Sequence, residues 1–304
     1  MTSDVQIVEV GPRDGLQAES TIVPADLKAL LIEKLHQAKL SRIELGSFVS
    51  PRSVPQMAST SDVINHLKGL TAGRKIMSKG SVLVANQKGL DAALESGATH
   101  IAVFTAASDA FTLKNINGTI QESLDRFAPL MAQAKTTGIS VRGYISCVIG
   151  CPYQGPTSPS QVVPVAEALL DLGCDEISLG DTIGVGTPAQ VKQLLSALQS
   201  TLPLHQTAVH FHDTYGQALV NILTAIELGV KIIDSSIAGL GGCPYAPGSS
   251  GNVATEDVVY MLNGMGIETG IDVEKLLMAS RFVRDELGLP IRSKAALALT
   301  ALGH

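Results

Sequence analysis

Two imidazoles separated by one apolar residue stand in the run Val209-His210-Phe211-His212-Asp213-Thr214. On an extended strand, side chains alternate between faces, so His210 and His212 share one face and Phe211 takes the other. Neutral imidazole is the commonest protein metal ligand, and two on one rigid face can grip a single divalent ion. The same spacing also suits the polar face of a half-buried strand, so the pair by itself leaves both readings open. Asp213 either orients a ligand histidine or starts a turn.

A second group follows the first apolar run as Gly11-Pro12-Arg13-Asp14-Gly15-Leu16-Gln17. Asp14 offers a hard carboxylate oxygen to a metal and Arg13 a fixed cation. A solvated Arg-Asp turn is the alternative, although Pro12 and Gly15 pin this turn directly behind a buried strand. Asp181 in Gly180-Asp181-Thr182 is either a site residue or a cap for the helix that follows. The glycine-rich stretch from Gly239 to Asn252 lacks both a Lys-Ser/Thr ending and the GxGxxG order, which argues against a nucleotide triphosphate. Its glycines suit a lid that brings Cys243 over a site, the alternative being a free thiol on a surface loop. Cys147 and Cys151 read as structural, and Cys174 as a small core residue.

Something must bring these groups together. Eight short runs rich in β-branched residues alternate with amphipathic stretches: Val5 to Val10, Arg42 to Leu45, Ser81 to Ala85, His100 to Thr105, Ser140 to Cys147, Glu176 to Leu179, Gln206 to His212 and Lys231 to Ile237. The alternation predicts parallel strands with helical crossovers, and eight units predict a (β/α)8 TIM barrel. Pro24, Pro159 and Pro188 suit first helical turns, and Gly97, Gly173 and Gly229 suit left-handed helix ends. Catalytic groups of such barrels sit at the carboxyl ends of the strands. There the chain carries Asp14, Glu44, Arg142, Asp181, the two histidines and Asn252. The chain reads as one catalytic domain, 1–304, with extra helices over about 256–304 that cover the barrel's base or meet another subunit.

Composition agrees with that reading and excludes others. Of 304 residues, 45% are hydrophobic and 16% charged, enough apolar surface for a large core. A net charge of −6 argues against an extended nucleic-acid surface. Four cysteines are too few for a disulfide scaffold. No apolar run approaches the roughly 20 residues that span a bilayer, so no membrane association is expected. The first strand begins almost at Met1 and leaves no room for a targeting segment, so a cytoplasmic protein is expected.

Taken together, Gly11 to Gln17, Ser47-Phe48-Val49-Ser50-Pro51, Asn115-Ile116-Asn117, Gly143-Tyr144 with Gly150-Cys151-Pro152-Tyr153, Gly180 to Pro188, His210 to Gly216 and Gly239 to Asn252 resemble the motifs of the 3-hydroxy-3-methylglutaryl-CoA lyases. The wider group includes the Claisen-type synthases that make isopropylmalate, homocitrate and citramalate, and the cysteine-bearing lid points to the lyase branch. The resemblance implies one divalent cation, Mg or Mn, on Asp14, His210, His212 and Asn252. It implies catalytic roles for Arg13, Asp14, Glu44, His210 and Cys243, and places Arg13, Gln17, Arg142 and Asp181 around an acyl-CoA substrate. The implied reaction is retro-Claisen cleavage of (S)-3-hydroxy-3-methylglutaryl-CoA to acetoacetate and acetyl-CoA, as in leucine degradation, by a homo-oligomer, most simply a dimer. A related lyase for another 3-hydroxy-acyl-CoA, or a synthase condensing acetyl-CoA with a 2-oxo acid, remains the alternative. Ser20 and Gly46 depart from the Lys and Thr frequent in the family.

Overall fold

The computed structural model describes residues 5–242 and 251–302. In chain order the strands are β1 (Gln6–Glu9), β2 (Arg42–Phe48), β3 (Ser81–Val84), β4 (His100–Ala106), β5 (Ser140–Ser146), β6 (Gly150–Cys151), β7 (Gly155–Pro156), β8 (Glu176–Asp181), β9 (Thr207–Phe211) and β10 (Ile232–Ser235). The short β6 and β7 form an antiparallel hairpin, and the other eight close a parallel barrel in the order β1-β10-β9-β8-β5-β4-β3-β2. This is the expected (β/α)8 TIM barrel, with helices Thr255–Gly264, Val273–Asp285 and Lys294–Ala301 added after the last strand.

Local signals explain the crossovers. Pro159 and Pro188 stand in first helical turns behind capping boxes, Ser158 with Gln161 and Thr187 with Gln190. Pro24 falls one residue earlier than expected, just before the helix Ala25–Gln37. Gly97, Gly173 and Gly229 have φ of +72°, +103° and +101°, the left-handed geometry expected where helices end.

The strands have two unlike faces. Ile7, Ile177, Leu179, Val209, Phe211 and Ile233 point outward into the main core beneath the helices. Inward-facing Val8, Val10, Ala208 and Ile232 form a much smaller apolar cluster. Leu83, Ala102 and Tyr144 form another, and buried charges fill much of the rest of the interior. Phe211 is a large, fully buried side chain of the outer core. Phe211→Ala is therefore expected to cost about 3–5 kcal/mol of unfolding free energy, readable as a lowered denaturant midpoint at unchanged slope.

The added helices flank the barrel: at the base end Asp272 N, just before Val273–Asp285, donates to Ala38 O at 3.0 Å. Arg292 N donates to Ala238 O at 2.8 Å and Arg292 Nη1 lies 3.2 Å from Glu19 Oε1, so the tail reaches the carboxyl rim. The helix Val273–Asp285 packs on Ala25–Gln37, with Lys34 Nζ 5.2 Å from the Phe282 ring centroid.

Candidate metal centre

The turn after β1 is wide, with Gly15 N donating to Val10 O at 3.1 Å across five residues. Its two glycines are sterically required. A Cβ on Gly11 would lie 2.6 Å from Glu9 Oε1, and one on Gly15 2.5 Å from Ser236 Oγ. The turn lifts Arg13 and Asp14 to the rim beside the carboxyl end of β9, where His210 faces inward and His212 follows one residue past the strand. Residues 251–255 are tied across the ends of β9 and β10 by Asp213 N to Gly251 O at 2.7 Å and Ser236 N to Val253 O at 3.0 Å. They deliver Asn252, whose Nδ2 donates to Asp14 Oδ2 at 2.8 Å and to Leu240 O at 3.3 Å.

One donor atom each from Asp14, His210 and His212 lies within 4.8 Å of the other two. The donor set suits a divalent cation by three measures. His212 Nδ1 is buried without a hydrogen-bond partner among the described residues, an arrangement that is costly unless a ligand takes it up. Burial opposes ionisation of Asp14, but Arg13 and then the two histidines outweigh it and hold the carboxyl well below its usual range. Burial, followed by the neighbouring His210, pushes His212 down to about 4, so its ring is neutral near pH 7. An ionised carboxylate with a neutral imidazole is the state that binds metal. The mixed oxygen and nitrogen set fits one Mg or Mn ion.

Behind the cluster lies a network of buried charges. Glu44 is fully buried; its Oε2 accepts from Arg13 Nε at 2.7 Å and lies 2.5 Å from Nη2, while Oε1 accepts from the Tyr144 hydroxyl at 2.9 Å. Arg13 Nη1 donates to Asp14 Oδ1 at 2.6 Å, so its guanidinium is clamped between two carboxylates. Arg142, expected near substrate, lies in the barrel interior with Nη2 on Asp234 Oδ1 at 2.6 Å, Nε 2.8 Å from Glu176 Oε1 and Nη1 on the Tyr144 hydroxyl at 3.1 Å. Asp234 also accepts from Ser178 Oγ at 2.9 Å and lies 3.1 Å from His210 Nδ1. Sequence reasoning did not single out Asp234, Glu176, Ser178 or Tyr144 as site residues. The available signal was an acid or hydroxyl on the inward phase of β5, β8 and β10.

Asp181 is not brought into the cluster. It is registered with Phe211 on the outward phase, and its carboxylate turns onto its own loop, accepting from Gly186 N at 2.7 Å and Val185 N at 3.2 Å. The helix that follows is capped by Thr187, so Asp181 braces its loop and does not cap that helix. Burial raises its pKa to about 6 against those bonds. Gln17 is exposed just beyond the turn. Cys243 lies outside the described residues. Cys147, Cys151 and Cys174 are buried and free. At Gly46 an added Cβ would meet Thr60 Oγ1 at 2.7 Å, so Thr60 occupies the space that a larger residue at 46 would need.

Two further buried acids hold the rim segment. Glu9 Oε1 accepts from Gly11 N and Ile237 N, both at 2.8 Å, and Oε2 from Thr255 Oγ1 at 2.7 Å. Glu256 accepts from Ala238 N at 2.9 Å and 3.0 Å, and from Ser280 Oγ, fixing Ala238 at φ +57°. Burial raises Glu9 to about 7 and Glu256 from the ordinary 4.5 to about 8. Between those two values the unfolded chain has lost the Glu256 proton that the folded one keeps, so this residue makes stability fall as pH rises. The stability of Glu256→Gln relative to the parent is therefore expected to improve from about pH 5 to about pH 8, measured by urea unfolding across that range.

Comparison with known proteins agrees with this geometry. A family model described as HMGL-like matches residues 4–283. The mitochondrial hydroxymethylglutaryl-CoA lyase of Mus musculus is 53% identical over 302 residues, covering 99% of this chain and 91% of that protein. That of Arabidopsis thaliana is 54% identical over 295 residues, covering 97% of this chain; the chain spans 62% of that longer protein. The crystal structure of hydroxymethylglutaryl-CoA lyase from Pseudomonas aeruginosa is 49% identical with a TM-score of 0.94, covering 99% of both chains. An HMG-CoA lyase from Acinetobacter baumannii, 38% identical with a TM-score of 0.90 over 98% of this chain and 97% of that one, was solved with coenzyme A and 3-methylmalate. The expectation of a cytoplasmic protein is overturned, because most of the similar curated proteins, from plant, bovine and rodent sources among others, are mitochondrial. Among the described residues no helix is long and apolar enough to cross a membrane. A family match over nearly the whole barrel, joined to the Asp-His-His cluster at its rim, makes this chain a member of the HMGL-like family of carbon–carbon lyases.

Proposed function

We propose that the chain cleaves (S)-3-hydroxy-3-methylglutaryl-CoA to acetoacetate and acetyl-CoA. The observation that carries this is the convergence of Asp14, His210 and His212 beside a clamped guanidinium, Arg13. A divalent cation held by these residues would supply Lewis acidity toward the substrate's tertiary hydroxyl. Asn252, already bonded to Asp14, is the proposed fourth ligand.

The residues' own work follows from their settings. The hydroxyl proton passes to a base of the cluster. The candidates are Asp14, through a carboxylate oxygen, and His210, which can take the proton only while its Nε2 is off the metal. Loss of that proton drives formation of the acetoacetate ketone and breaks the bond to the thioester's α-carbon, whose electron pair becomes the acetyl-CoA enolate. Arg13, preset by Glu44 and Asp14, faces the charge that develops on the thioester oxygen and spends no free energy on reorientation. Cys243 is the proposed donor of the proton that completes the methyl group. Gln17 at the open rim is proposed to meet the acyl-CoA, and Asp181 to set the loop beside it. That an Acinetobacter relative binds coenzyme A supports an acyl-CoA substrate here.

The deciding assay incubates the protein with 3-hydroxy-3-methylglutaryl-CoA and Mg, and measures acetoacetate and acetyl-CoA directly. Release of free thiol from acetyl-CoA with a 2-oxo acid, without cleavage of the hydroxyglutaryl thioester, would establish the synthase reading instead. We further propose that 1–304 acts as one domain and pairs as a homodimer. Exposed Tyr260, Met265, Met278 and Leu297 on the added helices support pairing, and light scattering reads the mass.

A further inference from the structure

His210 can serve a metal only if the nitrogen facing the cluster carries a lone pair. Its Nε2 faces Asp14 Oδ2 at 3.7 Å, and its Nδ1 faces Asp234 Oδ2 at 3.1 Å. Which nitrogen holds the proton is therefore decided on the Asp234 side. We propose that Asp234 is a positioning residue for the metal centre, locking His210 as the Nδ1–H tautomer so that Nε2 stays free to ligate.

The arrangement follows from strand register. Asp234 and His210 are direct partners in the β10–β9 pairing, and registered residues of parallel neighbours project to the same face, here the barrel interior. Asp234 is 1% exposed, and both its oxygens are committed. Oδ1 accepts from Arg142 Nη2, and Oδ2 accepts from Ser178 Oγ and lies 3.1 Å from His210 Nδ1. Arg142 is also ion-paired at 2.8 Å with Glu176, which is itself held by Arg42 Nη1 and Nη2 at 2.8 Å and 2.9 Å. A column of alternating charge thus runs from the floor of the barrel, Arg42–Glu176–Arg142–Asp234, and ends on the ligand histidine. Guanidinium has donors only, so the atom opposite Arg142 must be an acceptor.

That requirement makes one isosteric change informative. In Asp234→Asn the amide oxygen must face Arg142, which leaves the NH2 group facing His210. The imidazole must then accept at Nδ1 and carry its proton on Nε2, the wrong tautomer for a ligand. Loss of such an outer partner typically weakens metal binding about 10–100-fold. The inference rests on His210 being a ligand, and the two can fail separately.

The test uses full-length, metal-free protein with 15N-labelled histidine, at a pH high enough to keep the ring neutral. The His210 signals are assigned by their loss in His210→Gln. In the parent, protonation at Nδ1 is expected; protonation at Nε2 overturns the proposal whether or not any variant folds. In folded Asp234→Asn the proton is expected on Nε2, and calorimetric Mn binding is expected to weaken at least tenfold. An unchanged tautomer with Mn affinity within twofold of the parent overturns it. Ser178→Ala removes one bond to Asp234 but keeps the carboxylate, so the Nδ1–H signal should persist; its loss would assign the tautomer to Ser178 rather than Asp234. Undiminished Mn binding by His210→Ala would instead sink the ligand reading itself.

Discussion

His210→Ala lowers kcat/KM by about three orders of magnitude or more, because a Lewis-acid cation is worth several kcal/mol at the transition state and about 4 kcal/mol corresponds to ~10³ in rate. The variant is expected to fold. His210 is nearly buried, but the acid behind it keeps Arg142 and Ser178 as partners, so truncation does not strand the Asp234 carboxylate without compensation. Circular dichroism and Mn titration separate the effects: native-like spectra with weakened Mn binding and lost turnover are expected together. Full activity with added Mg would remove His210 from the centre.

Arg13→Lys is expected to lower kcat about 10²–10³-fold while KM changes little, the signature of a contact made in the transition state rather than in substrate binding. Charge is retained, so the loss isolates geometry. The guanidinium reaches Glu44 through Nε and Nη2 and Asp14 through Nη1, a fork that holds it rigidly between two acids. An ammonium is a single point donor on a flexible stem and cannot occupy all three contacts. Stopped turnover assays over a range of substrate concentrations give kcat and KM separately. A rise in KM at constant kcat would move Arg13 from catalysis to uniform binding.

Much of the site was readable because its parts are local. The period of two in Val209-His210-Phe211-His212 already separates ligands from core, and the structure puts Phe211 in the outer core and His210 on the interior side. The Arg13-Asp14 turn is pinned by glycines whose missing side chains the structure shows to be necessary. Eight strands were countable for the same reason, since turn chemistry and β-branched runs act over a few residues. Strand ends were less legible. β2 continues to Phe48, past the expected Leu45, through a register shift between Glu44 and Gly46 that no local pattern announces.

Residue types and spacing by themselves determined the barrel and the rim on which chemistry collects, and the motif resemblance picked Asp14, His210 and His212 out as ligands. Tertiary structure alone decided which charges face one another. Arg142 and Asp234 are 92 residues apart and Asn252 and Asp14 238 apart, and each pair meets only because the ring of strands closes. Closure and register also turned Asp181 onto its own loop and Arg142 into the barrel interior, placements that a one-residue change of phase would reverse. Such contacts arise from the sum of packing over the whole ring, and no stretch of sequence carries them.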